Sequence, residues 1–215
     1  MPKPEIPRGL CAILDGDLVP AARLPAVAAA MAEAGAQWIQ LRWKGATGHD
    51  LHEAALAVRQ ALPNVLFLIN DRPDIARLVG ADGVHLGQED MPPSAARKVL
   101  GDDAIIGLST HNVDDVWAAR DEPVDYIGFG PVFPTASKHD TAPVVGIDGL
   151  REAASEASVP VVAIGGIDAA RAPAALGAGA RAVAMIGAVC GNRGGADAAS
   201  RVAEVLHAIG LGARQ

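Results

Sequence analysis

The chain has 215 residues, a formal net charge of −7 and a pI near 5.3. That balance argues against a nucleic-acid partner, which needs a net basic face, but leaves room for a local cationic pocket around a small anion. Half of the residues are hydrophobic and only 3% are aromatic, so Ala, Val, Leu and Ile must fill the core.

Cys11 and Cys190 lie far apart in the chain and neither sits in a metal-type CxxC spacing. A disulfide framework is not expected, and a reducing cytoplasm is the default compartment. The opening MPKPEIPRGLCAIL has no signal-peptide pattern, because its apolar run is short and interrupted. No run of about 18 apolar residues suggests a membrane span. The expectation is a cytoplasmic protein with no membrane partner. A homo-oligomer is compatible with the sequence but not specified by it.

In chain order, short apolar runs recur: LCAIL, WIQL, VLFLI, GVHL, AIIGL, DYIGF, VVAIG and AVAMIG. Between them lie stretches such as RLPAVAAAMAEAGA, DLHEAALAVRQAL and GLREAASEAS, helix formers with apolar residues three and four apart. This alternation predicts βα units and a parallel sheet. AGAQWIQLR, VGADGVHLG and GAGARAVAMIG form a weak internal repeat, a Gly-Ala corner before a buried strand. Eight such units over this length predict a single-domain (β/α)8 barrel, the TIM barrel, spanning residues 1–215. A doubly wound open sheet is the alternative.

In a barrel, functional groups come from the C-terminal ends of the strands. The second strand ends in QLRWKG, where alternation puts Gln40, Arg42 and Lys44 on the axis side and Leu41 and Trp43 towards the helices. Two cations and an amide on one side point to an anion. The third ends in INDRPD, with Asn70 and Asp71, and the fourth leads into HLGQEDMPP, with His85, Gln88, Glu89 and Asp90. Two roles are open to Asp71 and Asp90. Each precedes a proline-marked helix start, where Asp caps exposed N–H groups. Equally, neighbouring strand ends would bring both carboxylates to one Mg²⁺, with water and phosphate oxygens completing its shell.

The fifth strand ends in GLSTHN, where Ser109 or Asn112 suits a helix cap and His111 reads as a lone exposed histidine. Neither a nucleophile triad nor a G-x-S-x-G elbow is present. The sixth runs into GFGPVFPTASKHD, a loop stiffened by Pro131 and Pro134 and ending in Thr135, Ser137 and Lys138. The seventh ends in AIGGID, with Gly165 and Gly166, and the eighth in AMIGAV, with Ile186 and Gly187. These glycines serve either as tight turns or as bare backbone for a phosphate monoester, which barrels often bind after strands 7 and 8. Two anion sites result, one lined by cations and carboxylates, the other by backbone. Both suit small phosphorylated molecules.

QLRWK, INDRPDIA, DGVHLGQEDMP, GLSTHN, DYIGFGPVFPTASK, VVAIGGI and GARAVAMIG, in this order, resemble the signatures of the thiamine phosphate synthase family. The resemblance implies a (β/α)8 barrel that joins 4-amino-2-methyl-5-(diphosphooxymethyl)pyrimidine to a thiazole phosphate. The products are thiamine phosphate and pyrophosphate. It implies that Gln40, Arg42, Lys44, Asn70, Ser109 and Lys138 contact the pyrimidine diphosphate, with Arg42, Lys44, Ser109 and Lys138 catalytic. Asp71 and Asp90 would bind Mg²⁺. Thr135, Ser137, Gly166, Ile186 and Gly187 would hold the thiazole phosphate. The implied reaction is dissociative: diphosphate leaves, and the thiazole nitrogen attacks a pyrimidine methylene cation.

Three positions depart from the family pattern. Cys11 stands where a tyrosine is common, Trp43 where an acid is common, and Gly187 where a serine is common. Three rival readings remain. A thiazole tautomerase of the same superfamily would typically carry a histidine in place of Pro131. A sugar-phosphate barrel isomerase would need an acid–base pair that is not evident. A non-catalytic sensor of thiamine precursors would have no use for metal carboxylates.

Overall fold

The computed structural model describes residues 3–135, 143–191 and 194–212. Eight parallel strands close into a barrel in sequence order: β1 (Gly9–Asp15), β2 (Trp38–Arg42), β3 (Leu66–Asn70), β4 (Gly83–Leu86), β5 (Ile105–Thr110), β6 (Tyr126–Phe129), β7 (Val161–Ile164) and β8 (Ala182–Met185). Closure comes from β1 pairing with β8, Gly9 opposite Ala182 through Ala12 opposite Met185. The expected (β/α)8 barrel is observed, and each apolar run of the sequence became a strand.

Helices cover the outside: α1 (Leu24–Glu33), α2 (Gly48–Ala61), α3 (Pro73–Val79), α4 (Pro93–Leu100), α5 (Val113–Ala118), α6 (Gly146–Glu156), α7 (Ala172–Gly177), the short α8 (Gly187–Cys190) and α9 (Ala198–Ala208). None of the described helices is long and apolar enough to cross a membrane. Local chemistry starts several of them. Thr47 accepts from the Asp50 N–H at 3.1 Å before α2, and Asn112 accepts from the Asp115 N–H at 2.9 Å before α5. Pro25, Pro73, Pro93 and Pro173 sit in first turns, where a missing N–H costs nothing. The repeated Gly-Ala corner is visible as positive φ at Gly35, Gly80 and Gly179.

Period-2 alternation divides the core into two layers. Leu14, Ile39, Leu41, Ile69, Val84, Ile106, Ile127 and Val183 face outward and pack with the helices. Cys11, Ile13, Trp38, Leu68, Tyr126, Val162 and Ala184 fill the barrel interior, with Ile6 from the N-terminal segment. Each fully buried aliphatic side chain contributes about 1.5–3 kcal/mol relative to exposure. Burial also pushes both thiols up, that of Cys190 to about 11.

Two aromatics dominate the interior. Trp38 and Tyr126 meet edge to face with centroids 5.0 Å apart. Their space exists because β5 carries glycine opposite them: a Cβ on Gly107 would lie 2.1 Å from Cζ of Tyr126. Gly107→Ala is expected to destabilise the protein by about 1–3 kcal/mol through overpacking. The check is a urea midpoint that falls while the slope of the transition stays constant.

Candidate active site

Two cavities open at the C-terminal ends of the strands. The larger, of about 540 Å³, is lined by Gln40, Arg42, Lys44, Asn70, Asp71, Asp90 and Ser109, with Cys11, His85 and Tyr126 further in. The smaller, of about 310 Å³, is lined by Pro131, Thr135, Gly165, Gly166, Asp168, Ile186 and Gly187. Ser109, His111, Gly128, Ile164, Ala184 and Ile186 line both, so the two cavities meet beside the ends of β5–β8.

Alternation along β2 places Gln40 and Arg42 on the cavity side, and Lys44, in the turn that follows the strand, lines the same cavity, while Leu41 and Trp43 pack with the helical layer. The cations already have carboxylate partners. Nη1 of Arg42 donates to Asp15 at 2.5 Å and lies 3.8 Å from Asp17; Lys44 pairs with Asp71. Asp15 ends β1 beside Arg42 in register and is 2% exposed. Sequence reasoning missed it, although an acid ending a strand next to a cationic strand end, in ILDGD beside QLRWK, is a readable signal. A buried ion pair costs desolvation of both charges. This one ties the Arg42 guanidinium to the end of β1.

Asp71 and Asp90 cap no helix. The residues preceding α3 and α4 are Arg72 and Pro92, and neither makes a side-chain cap. Asp71 has a φ of 64°, the left-handed region that a side chain enters at a cost, and its N–H donates to the carbonyl of His85 at 2.8 Å. Asp90 accepts from the Gly87 N–H at 2.6 Å. Burial and the neighbouring Asp90 carboxyl raise the Asp71 carboxyl above its ordinary range, and Lys44 opposes them. The two carboxyl groups lie side by side, with Lys44 paired to Asp71. They form an oxygen donor pair of the kind Mg²⁺ takes, leaving its remaining positions to water and ligand oxygens. Among the described residues, no cluster of three or more His, Cys, Asp or Glu surrounds a single metal position. Two carboxylates alone could hold a hard cation only if water or ligand oxygens supplied its remaining donors.

Gln40 donates to Oδ1 of Asn70 at 2.9 Å, which orients both amides across β2 and β3. Ser109 does not cap α5; Asn112 does. The Ser109 hydroxyl lies 3.0 Å from Nε2 of His85, and the Ser109 carbonyl accepts from Gln88 at 2.6 Å. The sequence reading of His111 as a lone exposed residue is corrected. It is half-buried at the junction of the two cavities, and its Nδ1 donates to the Gly130 carbonyl at 2.7 Å. A carbonyl only accepts, so the proton is on Nδ1. The signal was absent from the sequence because Gly130 is 19 residues away.

The loop after β6 is tied to the end of β7: Val132 N–H donates to Ile164 at 2.9 Å and Phe133 N–H to Gly165 at 3.0 Å. The Gly165-Gly166 pair admits this approach, since a Cβ on Gly165 would lie 2.5 Å from Pro131 Cα and one on Gly166 2.4 Å from the Pro134 carbonyl oxygen. The glycines thus have a packing reason as well as a backbone face towards the cavity. Thr135, Gly166, Ile186 and Gly187 line the smaller cavity together. Ser137 and Lys138 lie outside the described residues.

A closed parallel barrel with a charged cleft and an apolar, backbone-lined cleft at its C-terminal face defines a (β/α)8 protein built to take ligands there. Residues 10–189 match the thiamine monophosphate synthase family. The thiamine-phosphate synthase of Chlorobium phaeovibrioides is 45% identical over 183 residues, 84% of this chain and 85% of that protein. The bifunctional thiamine biosynthesis protein ThiM/ThiE of Symbiobacterium thermophilum is 46% identical over 196 residues, 90% of this chain; the chain spans only 41% of that protein's length. The solved thiamine phosphate pyrophosphorylase from Pyrococcus furiosus superposes with a TM-score of 0.82 at 36% identity, covering 94% of this chain and 95% of that one. The chain belongs to the thiamine monophosphate synthase family.

The pair at the end of β1 and β2 gives a stability prediction. Asp15→Ala leaves the Arg42 guanidinium, 15% exposed, without its buried partner. The expected cost is about 3–5 kcal/mol. Chemical denaturation measures it, and a loss below about 1 kcal/mol would place the pair with solvent-screened surface bridges.

Proposed function

We propose that this protein joins 4-amino-2-methyl-5-(diphosphooxymethyl)pyrimidine to a thiazole phosphate and releases thiamine phosphate and pyrophosphate. The observation that carries the reading is the meeting of two unlike cavities at Ser109, Gly128, Ile164 and Ile186, in a chain of this family. One is charged and the other apolar with exposed backbone, and their shared wall would let a ring bound on each side meet the other.

The diphosphate belongs in the larger cavity. Arg42 and Lys44 neutralise its charge, and Asp15 keeps Arg42 in place. Asp71 and Asp90 offset those cations, so among the described residues the cavity lacks the net positive charge a diphosphate needs. Mg²⁺ held by Asp71 and Asp90, when bound, supplies that charge and favours diphosphate departure. Gln40 and Asn70 present amide edges to the pyrimidine, and Ser109 meets it at the junction. By family resemblance Lys138 adds a cation on the diphosphate, and Ser137 joins Thr135 on the thiazole phosphate.

The thiazole phosphate belongs in the smaller cavity, against Thr135 and the backbone of Gly166, Ile186 and Gly187. Gly187 opens α8, and N–H groups in a first helical turn lack intrahelical acceptors. Diphosphate departure leaves a cation at the pyrimidine methylene, and the thiazole nitrogen attacks it. Ile164, Ala184 and Ile186 exclude water from this carbon, which hydrolysis would otherwise consume. Bond formation needs no protein nucleophile.

Thiamine phosphate and pyrophosphate should form only when both substrates and Mg²⁺ are supplied to the purified protein. Isomerisation of the thiazole without any pyrimidine would replace this reading by a tautomerase. Asp90→Ala should raise the Mg²⁺ concentration for half-maximal rate and cut turnover by roughly 10²-fold or more, the scale of losing one stabiliser of developing charge. An unchanged Mg²⁺ curve would remove Asp90 from the metal site.

A further inference from the structure

Behind the junction of the cavities, a hydrogen-bonded chain runs into the barrel interior. Nε2 of His85 lies 3.0 Å from Oγ of Ser109, and Nδ1 of His85 lies 2.8 Å from the phenol oxygen of Tyr126. The His85 and Tyr126 rings also stack, 5.4 Å between centroids and 26° apart. Tyr126 is 1% exposed, and burial holds its phenol well above the ordinary range, so it stays protonated.

Donor and acceptor roles follow from accounting. A buried phenol proton must reach an acceptor. Among the described residues, the hydrogen-bond partner of the Tyr126 hydroxyl is Nδ1 of His85. Tyr126 therefore donates, and Nδ1 carries the lone pair. The neutral imidazole then has its proton on Nε2 and donates to Ser109. With one lone pair of its oxygen so occupied, the Ser109 hydroxyl directs its own proton away from His85. Ser109 lines both cavities, so that proton is available to a ligand bound there.

We infer that Tyr126 is a positioning residue: acting through the tautomer of His85, it makes Ser109 a hydrogen-bond donor to an acceptor atom of the pyrimidine diphosphate. The inference rests on the proposed function for the identity of that ligand. The hydrogen-bond chain itself does not. Nothing in the sequence joins these three residues, since Tyr126 stands 41 residues from His85 and Ser109 stands 24. Gly107 belongs to the same device, since a Cβ there would lie 2.4 Å from the Tyr126 hydroxyl oxygen.

The test combines spectroscopy and kinetics on the full chain. With ¹⁵N-labelled histidine, the His85 signals, assigned by their loss in His85→Gln, should show a protonated Nε2 and a bare Nδ1 in the ligand-free wild type. The opposite tautomer there overturns the inference. Tyr126→Phe keeps the ring packing and removes the hydroxyl. It should shift the His85 Nδ1 signal and lower kcat/KM for the pyrimidine diphosphate roughly five- to tenfold, the scale of one hydrogen bond. KM for the thiazole phosphate should stay constant. In a Ser109→Ala background, Tyr126→Phe should cost nothing more. An equal loss in both backgrounds would make Tyr126 merely structural and overturn the inference. Should the variant fail to fold, the wild-type tautomer decides. Should the wild type form no thiamine phosphate, the proposed function falls while the tautomer measurement still judges the chain from Tyr126 to Ser109.

Discussion

Closing the sheet through the β1–β8 pairing constrains everything else in the molecule. Once a parallel sheet has no edge, every second residue of each strand must face the axis and the remainder must face the helices. The outer positions become one continuous apolar layer, and the inner positions become a stack that cannot be apolar all the way up. At the bottom it is Ile6, Trp38, Leu66 and Ile105; near the top it becomes Gln40, Asn70, His85 and Ser109. The ligand face is thus the upper end of the interior layer, carried by the same strands that build the core.

That continuity explains how rigid scaffold and chemistry are joined. Tyr126 packs edge to face with Trp38 inside the barrel and bonds to His85, whose other nitrogen reaches Ser109 at the cleft. On the opposite side, Asp15 ends a buried strand and grips Arg42. In both cases a buried group fixes a polar group at the rim. Preorganisation of this kind lowers the reorganisation needed as charge develops in a bound diphosphate.

The charged cavity is built around opposing signs. Arg42 and Lys44 face the carboxylates of Asp15, Asp17 and Asp71, and Asp71 lies against Asp90. The left-handed backbone at Asp71 and its raised carboxyl both mark a residue held against its own preference.

Much of this was legible in the sequence. The strands were readable because each is a short apolar run set between helix-forming stretches. Gln40 and Arg42 were readable because alternation within a single strand is local, and Lys44 follows in the adjoining turn. Asp71 and Asp90 were readable as carboxylates, but capping and metal binding share the same residue types before proline, and only the geometry removed the caps. Asp15, His85, His111 and Tyr126 were undervalued because each gains its role from a partner on another strand or loop. By itself the sequence determined the repeat, the alternation and the residue types at each strand end, all set by local periodicity. Only the tertiary structure decided which strand ends meet, because closure brings β1 beside β2 and β8 and sets β4, β5 and β6 side by side. It also decided the direction of the hydrogen bonds from Tyr126 to Ser109, because donor roles follow from burial, and burial belongs to the folded chain.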